Sequence, residues 1–342
     1  MDVAGHLDIR LSSKGRVPRS LAYRLLHAYV RWLYTACYCR TFEVYGQEHV
    51  PTDGPVVFVT NHQNNLADGL SVLFASERMP VFAARADFFR APQAAQGFAV
   101  LRVLPMYRAD HGRRAIADRL PETMDRLQRH LTAGGAFALM AEGSSAPSRT
   151  LRRLKKGWAR LVLDTLPEAP DLVVIPAALE YSGWDAWGPD VRVVFGEPLV
   201  FAPADEDVPR RLNAMNDRLY DALNALIADD DAVAAWHQQI TAQRRGRDGL
   251  WRILGLPALV VALVLLFPVL LFTRHRVRTH PRADFRSTLE LAYVGLGTPV
   301  WLLLVGLVAG ALAGWALFAV GALALPFVLW AAARCWIAWT AA

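Results

Sequence analysis

Pro55-Val56-Val57-Phe58-Val59-Thr60-Asn61-His62-Gln63-Asn64-Asn65-Leu66-Ala67-Asp68 reads as a buried strand that runs into a polar turn and then into a helix. Val, Phe and Thr favour a pleated, packed backbone, whereas the Asn-rich stretch after Thr60 favours a turn. The strand thus delivers a histidine to a loop, and an aspartate follows six residues later. On a regular helix six residues rotate by roughly 240°, so the two side chains would not share a face. His62 is therefore placed in the loop and Asp68 in the first helical turns, pointing back. Imidazole titrates near neutrality and can take a proton from a hydroxyl, while a carboxylate on its other nitrogen fixes the tautomer and stabilises the imidazolium. This layout of a general base needs no serine or cysteine nucleophile. Taken alone, the pair fits a structural histidine equally well.

The alternation around this stretch defines the fold class. Strand candidates at 55–60, 80–84, 136–141, 172–178 and 191–195 are interleaved with helical stretches near 66–77, 113–132 and 154–165, the rhythm of an α/β domain over residues 43–203. Residues 204–250 read as a charged helical connector, in which Asp229-Asp230-Asp231 is a helix boundary and a poor calcium loop.

Three further segments follow in order: Leu104-Pro105-Met106-Tyr107-Arg108, Ala141-Glu142-Gly143-Ser144-Ser145 and Val173-Val174-Ile175-Pro176-Ala177. With the first they resemble the four blocks of the glycerolipid acyltransferase family, the PlsC-like or lysophosphatidate acyltransferase-like proteins, over roughly residues 44–200. The resemblance is to the branch with five residues between the motif His and Asp. Phe82 to Phe89, Leu154 to Arg160 and Phe195-Gly196-Glu197-Pro198 also look like that branch.

The resemblance implies a mixed sheet flanked by helices and a transferase that moves an acyl group from acyl-CoA or acyl-carrier protein to a glycerophosphate-type hydroxyl. His62 and Asp68 are then the catalytic pair. Asn61, Arg108, Glu142, Gly143, Ser144, Lys155 and Pro176 are the implied substrate-binding residues, with the arginine on acceptor phosphate and the proline beside the acyl chain. No metal or cofactor is implied beyond the acyl donor as co-substrate. Ser144-Ser145-Ala146 departs from the family pattern, which commonly has Thr-Arg, or Ser-His in closer relatives, at these positions. Arg149, Arg152, Arg153, Lys155 and Lys156 are candidates to supply the missing phosphate contacts.

Composition places part of the chain in lipid. Hydrophobic residues make up 54% of the 342, and Lys+Arg 37 against Asp+Glu 31 gives a net +6, which suits an anionic membrane surface and phosphorylated substrates. No nucleic-acid module accompanies the basic charge. Cys37, Cys39 and Cys335 lie in apolar segments without metal spacing, as expected of reduced thiols on a cytosolic face. Residues 1–42 carry no secretory signal, and Leu21 to Thr41 reads as an amphipathic helix suited to a bilayer interface.

Residues 251–342 form the membrane region. Ile253 to Thr273 and Leu291 to Ala333 are uncharged, and the second run, about 65 Å of helix, is long enough to cross twice as a hairpin with Gly310, Gly314 and Gly321 at its turn or packing face. Arginines flank the first run on both sides, so one full crossing would violate the positive-inside rule. A re-entrant element broken near Pro257 or Pro268 is expected in preference to a third span. The whole reads as an integral membrane protein with its catalytic domain on the cytosolic face, which in a bacterium would be that of the inner membrane. Its partners are membrane lipids, the acyl donor and the acceptor. The competing readings are another lysophospholipid or alcohol acceptor, and a catalytically silent membrane scaffold of the same fold. A transporter is disfavoured by apolar runs that lack any acidic, basic or histidine residue.

Overall fold

A computed structural model describes residues 21–107, 111–184, 187–203, 207–280 and 285–340. Arg108 and the polar N-terminus, residues 1–20, lie outside them.

Strand β2 (Val56–Thr60) is wholly buried because it pairs in parallel with β5 (Ala136–Met140) on one side and with β6 (Val173–Tyr181) on the other. A strand covered on both faces is apolar along its whole length instead of alternating. The eight-stranded sheet runs β1 (Thr41–Tyr45), β7 (Asp190–Phe195), β6, β2, β5, β3 (Val81–Arg85), β4 (Val103–Met106), and the short β8 (Leu199–Val200) also pairs with β6. Pairing is parallel except where β7 and β8 meet β6, so the sheet is mixed.

Successive Cβ atoms point to opposite faces. Val57 and Val59 pack with Leu127 and Leu131 of α4 (Arg113–Thr132), Trp158 of α5 (Gly157–Thr165) and Leu219 of α6 (Val208–Leu226). Val56 and Phe58 pack with Tyr34, Tyr38 and Val72 of α2 (Asn65–Ala75), and with Leu291 of α9 (Arg286–Ala313). The helix at the N-terminus, α1 (Leu21–Trp32), passes into a π-helical turn, Leu33–Tyr38, which aims Tyr34, Cys37 and Tyr38 inward. Leu21 and Leu25 stay exposed. A short helix not read from the sequence, α3 (Pro92–Val100), precedes β4.

The charged connector is two helices, α6 and α7 (Asp230–Leu254), and Asp229 caps the second, its Oδ1 accepting from the Ala232 amide at 2.7 Å. A buried ion-pair network fixes α7 to the sheet edge. Arg40 donates through Nε and Nη2 to the two oxygens of Asp190, at 2.9 and 2.7 Å, and reaches Thr241 Oγ1 at 2.8 Å. The same carboxylate meets His237 Nδ1 at 2.7 Å. From α10 (Trp315–Thr340), Arg334 donates to the carbonyls of Cys39 and Arg40.

Among the described residues, three helices are long and apolar enough to cross a membrane, by length and composition: α8 (Leu256–Thr279), α9 and α10. The expected break at Pro268 does not occur: α8 runs unbroken through it, and the discontinuity falls at Gly255, with Pro257 in the first turn, where its missing N–H costs nothing. Gly314, at φ +102°, is the turn between α9 and α10. Helix α8 runs antiparallel along α9, the Leu265 carbonyl accepting from Trp301 Nε1 at 2.8 Å. Gly255 abuts Ala331 and Cys335 of α10, whereas Val269 lies against Gly297 and Arg276 Nε donates to the Tyr293 hydroxyl at 3.4 Å. Leu291 inside the sheet core means that the domain boundary read at residue 203 does not separate two cores.

Candidate active site

Strands β5, β2 and β6 are adjacent and parallel, so their C-terminal ends open on one edge of the sheet, where open α/β sheets place their sites. The loop after β2 carries His62, the loop after β5 carries Glu142 to Ser145, and β6 ends at Tyr181. At this edge His62 Nδ1 lies 2.7 Å from Asp68 Oδ2. An ionised carboxylate only accepts, so the imidazole hydrogen belongs on Nδ1 and the lone pair on Nε2.

Asp68 is fully buried in the first turn of α2 and its charge is met by three donors. Besides His62, the Asn64 amide donates to Oδ2 at 2.8 Å and the Tyr181 hydroxyl to Oδ1 at 2.8 Å. Behind them Ser71 Oγ lies 3.2 Å from the Tyr181 hydroxyl and 2.7 Å from that of Tyr34. Burial, and next the Asp68 charge, push the Tyr181 phenol well above its ordinary range, so it stays protonated and donates. The His62 side chain, at 14% exposure, is the partly open member of the pair.

The loop after β5 braces the histidine from the other side. Glu142 Oε1 accepts from the His62 amide at 3.3 Å, and Oε2 accepts from Arg152 Nε. Burial raises the Glu142 carboxyl above its ordinary value, with Arg152 opposing. Arg152 also donates to Ser144 Oγ, to the Ser144 carbonyl and to the His62 carbonyl. Its guanidinium is thus committed to the loops and acts as a strut. Gly143 turns the loop at φ +78°, and a Cβ there would come within 3.1 Å of Lys155 Cγ. The exposed Lys155 therefore runs along the loop, and no ion-pair partner of it is found among the described residues.

Two of the expected substrate residues are placed elsewhere. Asn61 is buried, with Nδ2 donating to the Leu179 carbonyl at 2.9 Å and Oδ1 accepting from the Leu179 amide at 2.8 Å, so it clamps the loop to β6 instead of facing substrate. Pro176 is buried in β6 opposite Val59, beside Gly196 and between the stretches paired with β8 and β7. That gap between partners is where a residue without an N–H is tolerated in a sheet interior. Arg108 falls outside the described residues. Tyr181, Ser71 and Tyr34 were not legible from sequence, since hydroxyl-bearing residues in a strand or on a helix's inner face look like core.

Among family models, the one described as Acyltransferase matches residues 41–180, which contain the His62–Asp68 pair, the Glu142 loop and most of β6. Residues 41–180 form an acyltransferase domain. The matched range holds His62, Asp68, Ser71 and Glu142, and Tyr181 stands one residue beyond it. Among solved structures, the chain is similar to Thermotoga maritima PlsC, described as a 1-acyl-sn-glycerophosphate (LPA) acyltransferase, at 18% identity, covering 65% of this chain and 88% of that one, with a TM-score of 0.41. No curated protein matches the chain.

Proposed function

We propose that this acyltransferase is an O-acyltransferase that moves a fatty acyl group from acyl-CoA or acyl-carrier protein to a hydroxyl of a glycerophosphate-type acceptor, glycerol 3-phosphate or lysophosphatidate. The observation that carries the reading is the His62 Nδ1 to Asp68 Oδ2 bond of 2.7 Å at the open strand edge. His62 Nε2 takes the acceptor proton as the hydroxyl oxygen attacks the thioester carbonyl. The tetrahedral adduct collapses, the carbon–sulfur bond breaks, and the imidazolium returns its proton to the departing thiolate, leaving an ester and a free thiol. Asp68 stays ionised and holds the imidazole. Lys155 and Arg108 would take the acceptor phosphate, for which a cation beside the loop and a guanidinium fork are suited.

The membrane region is read as an anchor that keeps this edge at the bilayer surface, with the domain on the cytosolic face. The arginines at both ends of α8 support a reading in which it enters the bilayer without crossing it, although its unbroken 24 residues are long enough to span. Arg245, Arg247 and Arg252 before it and Arg274, Arg276 and Arg278 after it would then lie on one face, as positive-inside logic requires. The test of function is product analysis by mass spectrometry after purified protein meets an acyl-thioester mixture and a panel of glycerol 3-phosphate, lysophosphatidate and other lysophospholipids. Acylated glycerophosphate is expected; acylation of none of these hydroxyls would overturn the reading.

A further inference from the structure

The first turn of α9 reaches into the catalytic loop. Ser287 Oγ donates to Asn64 Oδ1 at 2.6 Å, with both residues buried. One residue on, Thr288 Oγ1 accepts from the Leu66 amide at 3.3 Å. The residue between those two contacts, Asn65, sits at φ +40°, a left-handed backbone that asparagine enters more readily than most residues but that remains uncommon. Asn64 in turn donates its amide to Asp68 Oδ2, the oxygen that receives His62 Nδ1. A turn further along, Leu291 joins the cluster around Tyr34, whose hydroxyl donates to the Ala67 carbonyl. From the opposite side Ser145 Oγ donates to Asn65 Oδ1 at 2.6 Å. This segment is therefore gripped from two sources, the loop after β5 and a helix more than two hundred residues away in sequence.

We infer that Ser287 and Thr288 are positioning residues, through which the bilayer-compatible helix α9 sets the geometry of the His62–Asp68 pair. The inference rests on acyl transfer by His62. Without the two hydroxyls the loop keeps its fold through Glu142, Asn61 and Ser145, but Asn65 loses the restraint that holds its left-handed backbone. The imidazole then spends less time aligned with a bound hydroxyl, so turnover falls while binding does not. Misalignment on this scale costs about 10- to 100-fold in rate.

The experiment is a steady-state and hydrogen-exchange comparison of full-length wild type, Ser287→Ala, Ser287→Ala with Thr288→Val, Ser287→Thr and His62→Ala in bilayer nanodiscs. The alanine and double variants should lose kcat with unchanged KM for donor and acceptor, should lower the melting temperature only slightly, and should exchange amides of residues 61–68 faster. Ser287→Thr should restore both rate and protection. Wild-type kcat and wild-type protection in the double variant, alongside an inactive His62→Ala, would overturn the positioning role and leave the transfer mechanism standing. A fully active His62→Ala would instead remove the mechanism, and the inference with it. A drop in melting temperature matching the loss of rate, with no rescue by threonine, would reduce the two hydroxyls to packing and also overturn it.

Discussion

The Tyr181 hydroxyl donates to Asp68 Oδ1 at 2.8 Å, on the carboxylate oxygen that His62 does not touch. The carboxylate is thereby fixed from both ends, and its plane sets the direction in which Nε2 faces. Tyr181→Phe keeps the ring and removes one buried charge-assisted bond, of a kind that contributes about 1.5–3 kcal/mol. A fall in kcat of about tenfold is expected with unchanged KM, measured by initial rates over a range of acceptor concentrations.

His62→Ala should lower turnover by about 10²- to 10⁴-fold, the usual contribution of a general base, and lower the melting temperature modestly, since Asp68 keeps its other two donors. Asp68→Asn should fail in both respects. Its amide would turn a donor toward the Asn64 N–H and His62 N–H or toward the Tyr181 hydroxyl, in a fully buried position, at a cost of about 1–3 kcal/mol. Paired rate and melting measurements on the two variants distinguish a catalytic group from a buried support.

Lys155→Ala should raise the KM for a phosphorylated acceptor by about tenfold, near 1.4 kcal/mol, without changing that for the acyl donor. Lys155→Arg should restore most of it, since a second cation occupies the same rim. For Arg108, Lys should recover only part of what Ala loses, because an ammonium lacks the bidentate fork. Unchanged acceptor KM in both alanine variants would move the phosphate site elsewhere.

A buried histidine far from the chemistry predicts an acid limit to stability. His130 contacts the Ala136 carbonyl at 3.0 Å, and burial, followed by Arg102, pulls its imidazole down from 6.5 to about 4. The unfolded chain takes up this proton near pH 6.5 and the folded chain does not, so His130 leaves stability unaffected above that pH. Between about 6.5 and 4 it should cost about 1.4 kcal/mol per pH unit. Melting temperature recorded from pH 7.5 to 4.5 should fall less steeply in His130→Gln than in wild type.

Topology has its own test. Cysteines introduced at Gly246 and Thr279, both in positions with room for a side chain or open to solvent, flank α8 in a background with Cys37, Cys39 and Cys335 replaced by alanine. An impermeant thiol reagent should label both in inverted vesicles and neither in intact cells. Labelling from opposite faces would make α8 a full span.

The strand, loop and helix around His62 were legible because each step has a local cause: the β-branched run, the Asn-rich turn, and the apolar spacing after Leu66. The helix at 113–132 and the strands at the sheet centre were read for the same reason. What escaped were roles set by distant neighbours. Asn61 looks like a loop amide until β6 is laid beside it, Tyr181 looks like core until Asp68 faces it, and nothing near Ser287 announces Asn64. The parallel pairing of β1 with β7 is equally silent, since Thr41 and Asp190 are far apart in the chain.

The network of Arg40, Asp190, His237 and Arg334 changes what it would mean to make a smaller version of this enzyme. Arg40 and Asp190 belong to the sheet, whereas the groups that shield them come from α7 and α10, and Leu291 of α9 fills part of the same interior. A chain ending at residue 203 would carry a solvent-opened ion pair and a missing wedge of core. The apolar tail is not cargo that a soluble fragment can shed: the fold is finished by the very helices that a lipid environment must accommodate.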